Sequence, residues 1–142
     1  MENEFFKQSG VWEGSGTLDS GGTEIKCTAS AVAAVSENSI KIDFSIKTPG
    51  GAMKKRLYVI KGLGPLSMSA PITVEASGFG IFAGAAVIMT GSVILTYEGA
   101  DNNVSFMENI IEAGAGRVRI KGSMMNDSDI LESWNIEIRR KG

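Results

Sequence analysis

Three glutamates, Glu108, Glu112 and Glu132, are the strongest candidates for acid–base chemistry in this sequence. By strand parity, each shares a face with apolar residues and is a candidate to point inward. Two carboxylates facing each other across a cleft would supply a general acid and a general base. The alternative is that they are solvated glutamates at the rim of the fold, and we favour this interpretation.

Other catalytic chemistry is restricted by the residue types that the chain lacks. It contains no histidine and one cysteine, Cys27, so Ser-His-Asp and Cys-His arrangements cannot form. The common zinc, copper and haem sites are excluded for the same reason. Cys27 is expected to be a small buried hydrophobe rather than a nucleophile. We predict no metal and no cofactor, and we leave catalysis open while favouring binding.

Length and charge place the chain among ordinary single-domain proteins. Its 142 residues predict one domain over positions 1–142, and a net charge of −2 gives no reason to expect nucleic acid or an anionic membrane as a partner. The N-terminal sequence Met-Glu-Asn-Glu lacks the basic and apolar regions of a signal peptide, and no membrane span is predicted. A cytoplasmic location is the resulting prediction.

Alternation of apolar and polar residues predicts an all-β fold. It is clearest over residues 39–47, where Ile40, Ile42, Phe44 and Ile46 share one face. The 18 glycines and 3 prolines suit many short strands joined by tight turns. We therefore predict a single antiparallel up-and-down β-barrel of about eight to ten strands, because closure removes exposed strand edges.

The first predicted strand, residues 10–18, is organised around a tryptophan. Trp12, Gly14, Gly16 and Leu18 share a face that is less polar than the opposite one, so we expect this face to be the inside. Glycines within a strand indicate a bend or the close approach of another backbone. A strongly bent first strand favours a barrel over a flat sheet.

The start of this strand carries a resemblance to a known superfamily. Gly10, one residue and then Trp12, after the apolar pair Phe5 and Phe6, resembles the opening of the calycin barrels, which include lipocalins, fatty-acid-binding proteins and nitrobindin-like domains. In those families the tryptophan closes one end of the barrel and the lumen holds an apolar small molecule. The resemblance implies a lipocalin-like protein that binds a lipid or a fatty-acid-like ligand. We also expect a short helical plug over residues 2–8.

Side chains that face inward on several strands would line such a lumen. The predicted ligand-binding residues are Trp12, Phe44, Leu57, Met68, Tyr97, Phe106, Ile120, Met124, Glu132 and Trp134. Lys55 shares the parity of Leu57, so we expect it near an open end or inside. In fatty-acid-binding proteins, arginines and a tyrosine near the C-terminal strands hold the ligand carboxylate. Only Arg140, with Tyr97 further back, matches that pattern, so an acidic ligand is not predicted.

One segment does not fit the alternation. Residues 77–91, from Ser77 to Gly91, carry no charge and are apolar on both parities. They predict either two short buried strands at a homo-oligomer contact, which we favour, or a mobile apolar portal. Part of this segment, Gly78-Phe79-Gly80-Ile81-Phe82, is similar to the Gly-x-Gly-x-Phe segment of allene oxide cyclase and dirigent proteins. The alternative functions are therefore a barrel enzyme acting on an apolar substrate, or a structural subunit.

Overall fold

A computed structural model describes residues 8–62, 68–100, 103–127 and 129–141, which form a closed antiparallel barrel. Its ten strands are β1 (Gly10–Ser20), β2 (Thr23–Val35), β3 (Ser39–Lys47), β4 (Met53–Lys61), β5 (Ser69–Ala76), β6 (Gly80–Met89), β7 (Ser92–Gly99), β8 (Val104–Gly114), β9 (Arg117–Asn126) and β10 (Asp129–Arg140). No helix occurs among the described residues. Apart from Gln8, the helical plug predicted for residues 2–8 lies outside them.

The barrel is closed by the pairing of the first strand with the last. Each strand pairs antiparallel with its neighbours in sequence, and β1 also pairs with β10 from Trp12↔Arg140 to Ser20↔Glu132. Short connections of this kind are what an up-and-down order requires. The all-β barrel predicted from the sequence is therefore confirmed, at the upper end of the predicted strand number.

Two glycines let β1 approach β10 closely. A Cβ atom at Gly14 would lie 1.8 Å from the carbonyl oxygen of Glu137, and one at Gly16 would lie 2.1 Å from that of Asn135. No side chain fits at such distances, so these positions require glycine. Trp12, on the same face, is fully buried, which confirms the predicted inside of this strand.

Inward-facing apolar side chains form the core. Small residues on β2, such as Ala29 and Ala31, leave room for the isoleucines and aromatic residues of the opposite strands. Cys27 is buried among them, as predicted, and burial raises the pKa of its thiol. The thiol is thereby less reactive than a free cysteine at neutral pH.

The prediction for β4 was wrong in its parity. Arg56, Tyr58 and Ile60 point inward, whereas Leu57 is 38% exposed and Lys55 faces solvent. Both parities of this strand carry apolar residues, so alternation alone did not distinguish them. Arg56 can occupy the inner face because its charge is compensated inside the barrel, as described below.

Two further sequence predictions are corrected around β5 and β6. Met68 has the inward parity of β5 but precedes the strand and is 76% exposed, so it does not line the interior. The segment 77–91 forms a turn followed by the single strand β6, not two short buried strands. Phe82 points inward from β6, while Ile81 on its outer face is 73% exposed.

Candidate functional site

Five side chains with polar atoms meet inside the barrel, and we call them the interior polar cluster. They are Arg56 and Tyr58 on β4, Tyr97 on β7, Glu108 on β8 and Trp134 on β10. All five are buried. Charged and hydroxyl groups are rarely buried unless they are paired and hydrogen-bonded, so the contacts within the cluster decide whether it is stable.

The carboxylate of Glu108 is at the centre of the cluster. Its Oε1 accepts hydrogen bonds from the hydroxyls of Tyr58 at 2.6 Å and Tyr97 at 2.5 Å. Its Oε2 accepts from Nε1 of Trp134 at 3.1 Å and pairs with Nη1 of Arg56 at 3.3 Å. Four donors therefore surround a carboxylate that is only 1% exposed, so its negative charge is compensated within the barrel.

The guanidinium of Arg56 is held by aromatic rings as well as by polar atoms. Its Cζ lies 4.3 Å from the ring centroid of Trp134, close enough for a cation–π interaction, and 5.5 Å from that of Phe106. Its Nη1 also donates to the hydroxyl of Tyr97 at 3.2 Å. The positive charge is therefore positioned by β4, β7, β8 and β10 together.

Aromatic packing keeps the two tyrosines in place. Tyr97 stacks on Phe106 with ring centroids 4.8 Å apart, and Tyr58 meets Tyr97 edge to face at 6.1 Å. Phe82 packs edge to face against Phe106 at 5.0 Å. Such pairs restrict side-chain rotation and so fix the direction in which both phenolic hydroxyls donate.

Strand register brings the glutamate and the tryptophan together through a glycine. Gly122 on β9 lies opposite Glu108 on β8 and opposite Trp134 on β10. A Cβ atom at this position would lie 2.5 Å from Nε1 of Trp134. The missing side chain therefore gives the indole room to lie over β9 and reach the carboxylate.

Burial and charge keep the donors of the cluster protonated. Burial raises the pKa of Tyr58 and of Tyr97 above the ordinary 10.0, and the negative charge of Glu108 raises both further. Burial alone would lower the pKa of Arg56, but the facing acidic groups of Tyr58, Glu108 and Tyr97 outweigh it and raise the pKa above its ordinary value. The cluster thus consists of a permanent cation and two neutral phenols around one carboxyl group.

An ion pair crosses one end of the barrel beside the cluster. At this end, which we call the mouth, the β1–β2, β3–β4 and β9–β10 turns lie. Lys54 Nζ on β4 lies 2.9 Å from Oε2 of Glu132 on β10, and their side chains are 40% and 8% exposed. The two strands are not neighbours in the sheet. Arg56 and Trp134 follow two residues further along these strands and lie directly below the pair.

The structure places most of the residues predicted to bind a ligand inside the barrel. The eight that point inward are Trp12, Phe44, Tyr97, Phe106, Ile120, Met124, Glu132 and Trp134. Leu57 and Met68 do not, for the reasons given above. Of the eight, Tyr97 and Trp134 donate hydrogen bonds within the interior polar cluster, and Glu132 forms the ion pair with Lys54 at the mouth.

Sequence reasoning missed three residues of this arrangement and misjudged two others. Arg56, Tyr58 and Lys54 were not selected, and Glu108 and Glu132 were expected to be solvated glutamates at the rim, which is wrong because both are buried. A usable signal was present, because a glutamate flanked by Phe106 and Ile110 on its own parity has an apolar face around it.

The remaining candidates lie away from the cluster. Arg140, at the opposite end, hydrogen-bonds the Gln8 side chain and donates through Nη2 to the carbonyl of Ser9 at 3.0 Å. It therefore anchors the chain before β1. Glu112 lies near the same end, and its buried carboxylate oxygens have no hydrogen-bond partner among the described residues.

Chemically, the cluster is suited to recognition more than to proton transfer. All four donors already point at Glu108, so this carboxylate is not a free base. Within the described residues, the hydrogen bond and the ion pair of Arg56 both use Nη1. Its Nε and Nη2 remain as donors. They lie in the plane of the guanidinium, which allows two parallel hydrogen bonds to a carboxylate or phosphate group of a ligand.

Comparisons with known proteins identify a fold and no family. No family model matches the chain, and no curated protein matches it in sequence. A solved structure does match: the S-type phycobiliprotein lyase CPES from Guillardia theta, with a TM-score of 0.71 and 10% sequence identity, over 98% of this chain and 92% of that one. The chain shares the fold of that lyase. Among the described residues, no helix is long and apolar enough to cross a membrane.

Proposed function

We propose that this protein binds a small molecule inside its barrel, in the manner of a lipocalin, and that it is not primarily a catalyst. The observation that carries the proposal is the interior polar cluster, in which Arg56 and Glu108 are buried at the centre of an otherwise apolar core. Ligand sites in proteins combine mostly apolar walls with a few precisely placed polar groups, and this interior has that composition.

The energetics of the cluster support a role beyond stability. Replacing a buried ion pair by apolar residues of similar volume is often neutral or stabilising, so a barrel that only needed a core would not require this pair. Functional sites are also where strongly perturbed pKa values concentrate, and Tyr58, Tyr97 and Arg56 all show them.

The proposed ligand has an apolar body, lipid-like or fatty-acid-like, and at least one hydrogen-bonding group. We assign the contacts of its apolar body to the seven apolar or aromatic residues among the eight named above, and those of its hydrogen-bonding group to Arg56. Because these side chains are almost fully excluded from solvent, the ligand must displace movable side chains. Met124 is one such side chain, because it is unbranched and flexible and lies opposite Glu132 in the strand register near the mouth. The resemblance to calycin barrels and the fold shared with a phycobiliprotein lyase both support a barrel adapted to hold a small molecule.

Native mass spectrometry of freshly purified protein tests this proposal. We expect a mass above that of the chain alone, and we expect the excess to disappear when the protein is denatured. The released compound would then identify the ligand class. A bare chain that also fails to take up apolar compounds added in excess would refute small-molecule binding by this barrel.

A second function, assembly into a homo-oligomer, is favoured by the outer face of β6. Ile81, Val87 and Met89 on this strand are all exposed, and no charged residue interrupts them. A shallow groove of about 380 Å³ lies next to them, and its lining includes Ala83 and Ala85 of β6, Glu98 of β7 and Met107 of β8. An exposed apolar surface of this kind is typical of a contact with another protein, and we propose a second copy of the chain as the partner.

A further inference from the structure

Two cationic side chains on β4 face the mouth of the barrel in succession. Lys54 and Arg56 are two residues apart, so both lie on the inward side of the strand. Lys54 is partly exposed at the mouth, whereas Arg56 is buried one layer below it. An acceptor group that approaches from solvent therefore meets the ammonium first and the guanidinium second.

Among the described residues, the partners of Lys54 and Arg56 use only part of the donor groups of each cation. Glu132 reaches Lys54 from across the barrel with a single contact of 2.9 Å, and the ammonium has three donors. The guanidinium of Arg56 makes its hydrogen bond to Tyr97 and its ion pair to Glu108 through the same atom, Nη1. Both residues therefore keep donors for a further anionic group.

Glu132 places its carboxylate beside Lys54, at a position where the anionic group of a ligand could bind instead. Glu132 is the only acidic residue among the described side chains that pairs with Lys54, and it lies beside Met124 and Phe106 in strand register. It is attached at the start of β10, next to the irregularity between Ile130 and Glu132. The ladder between β9 and β10 is interrupted at this point, so the Glu132 side chain can turn towards solvent without breaking the barrel.

We propose that the mouth contains an anion subsite, formed by Lys54 and by Nε and Nη2 of Arg56, which Glu132 occupies in the free protein. The proposal rests on small-molecule binding and names the ligand class: an amphiphile whose carboxylate, sulfonate or phosphate replaces Glu132. Its apolar body packs against Met124 and Phe106. Glu132 is then a competitor built into the site, and it lowers the affinity for anions without affecting neutral ligands.

The test compares two fluorescent probes that differ by one charge. 1-Anilinonaphthalene-8-sulfonate carries a sulfonate, and N-phenyl-1-naphthylamine has the same rings without it. Dissociation constants for both are measured with the full-length wild type and with Glu132→Gln and Lys54→Gln. Glu137→Gln on the outer face of β10 and Lys55→Gln on the outer face of β4 are the matched controls.

For the sulfonate probe we expect Glu132→Gln to bind about fivefold more tightly and Lys54→Gln about fivefold more weakly than wild type, as one partly exposed charge pair allows. The neutral probe should bind all five proteins equally, which also shows that the variants are folded. Glu137→Gln and Lys55→Gln should match the wild type with both probes.

The possible failures are distinguishable. If the neutral probe binds but the sulfonate probe responds to Glu132→Gln no more than to Glu137→Gln, the anion subsite is refuted and small-molecule binding stands. If neither probe binds any of the proteins, both proposals are refuted. Equal changes for the two probes would also overturn the subsite, because they would report opening of the mouth and not recognition of charge.

Discussion

Glu108 shows how a single side chain can depend on its whole environment. Four donors from three other strands point at its carboxylate. Glu108 is the single carboxylate of the cluster, so all four donors depend on it for an anionic acceptor. Burying a charge is unfavourable, and here the cost is offset by paired charge and by hydrogen bonds. Removing one partner of such a pair leaves the other charge buried and uncompensated, which costs more than the pair itself contributes.

The coupling of Arg56 and Glu108 is testable by a double-mutant cycle. We expect Glu108→Leu to lower the free energy of unfolding by about 3–5 kcal/mol, because it leaves the guanidinium buried without its carboxylate. Arg56→Met should cost a similar amount. The double variant should lose much less than the sum, since both charges are then gone. Urea unfolding followed by circular dichroism measures all four proteins, and additive losses would show that the two charges are not coupled.

The two tyrosines provide a pH-dependent signal without any mutation. They are the only tyrosines in the chain, and both have a pKa raised above 10.0 in the folded barrel, so folding favours their protonated form. Their contribution to stability is complete below a pH of about 10 and is lost as the pH rises beyond it.

We therefore expect the tyrosinate absorbance near 295 nm to rise only when the barrel unfolds at alkaline pH. The increase should coincide with the loss of the circular dichroism signal, and in denaturant it should instead follow an ordinary titration centred at a pH of about 10. A folded protein whose tyrosines titrate normally would contradict their placement in the interior polar cluster.

Within the strands, glycines determine how closely the elements approach one another. Gly14 and Gly16 bring β1 against β10, and Gly84 does the same for β6 and β7, where a Cβ atom would lie 1.8 Å from the carbonyl oxygen of Thr96. Gly122 differs, because it accommodates the Trp134 side chain and not a backbone. Strand glycines in this barrel therefore shape both its closure and its polar interior.

Gly122→Ala should disturb the cluster from a neighbouring strand. The added methyl group would lie 2.5 Å from Nε1 of Trp134, so the indole must move away from Glu108. We expect a loss of about 1–3 kcal/mol in unfolding free energy and a shift in tryptophan emission. Gly50→Ala is the control, because a Cβ atom there has nothing within 4 Å. If the two variants behaved alike, Gly122 would have no part in positioning Trp134.

Two features of the whole barrel determine how it can associate with other molecules: its closed strand edges and the apolar outer face of β6. The closed barrel leaves no unpaired strand edge among its ten strands, so aggregation through strand edges is suppressed. The outer face of β6 carries three exposed apolar side chains, Ile81, Val87 and Met89, and no charged residue. A contact between copies through this face would cover it without changing the barrel.

Size-exclusion chromatography with light scattering tests this assembly. We expect wild-type protein to give a multiple of the 15.0 kDa chain mass and Val87→Lys to give the monomer, because Val87 lies between Ser69 and Ile94 in register and a charge within an apolar contact is unfavourable. Val32→Lys, on the exposed outer face of β2, should leave the mass unchanged. A monomeric wild type would contradict oligomerisation through β6.

The fold was largely predictable because its signals are local. Period-two alternation over Ile40–Ile46 and the turn glycines at Gly21 and Gly22, which adopt positive φ values of 64° and 88°, are properties of short stretches of chain. The inside of β1 and the inward position of Tyr97 follow from the same rule. Neighbouring strands then pair in sequence order, and only the closing pair of β1 with β10 joins distant parts of the chain.

The interior polar cluster required the closed barrel. Tyr58 and Glu108 are 50 residues apart in sequence, and they meet only because the sheet curves until β4 faces β8. On β4, apolar residues occupy both parities, so alternation does not decide which face points inward. Arg56 is stable on the inner face because the carboxylate of Glu108 pairs with it there. Short-range patterns determine which segments are strands, whereas a buried charge is stable on one face only when the folded chain supplies its partner.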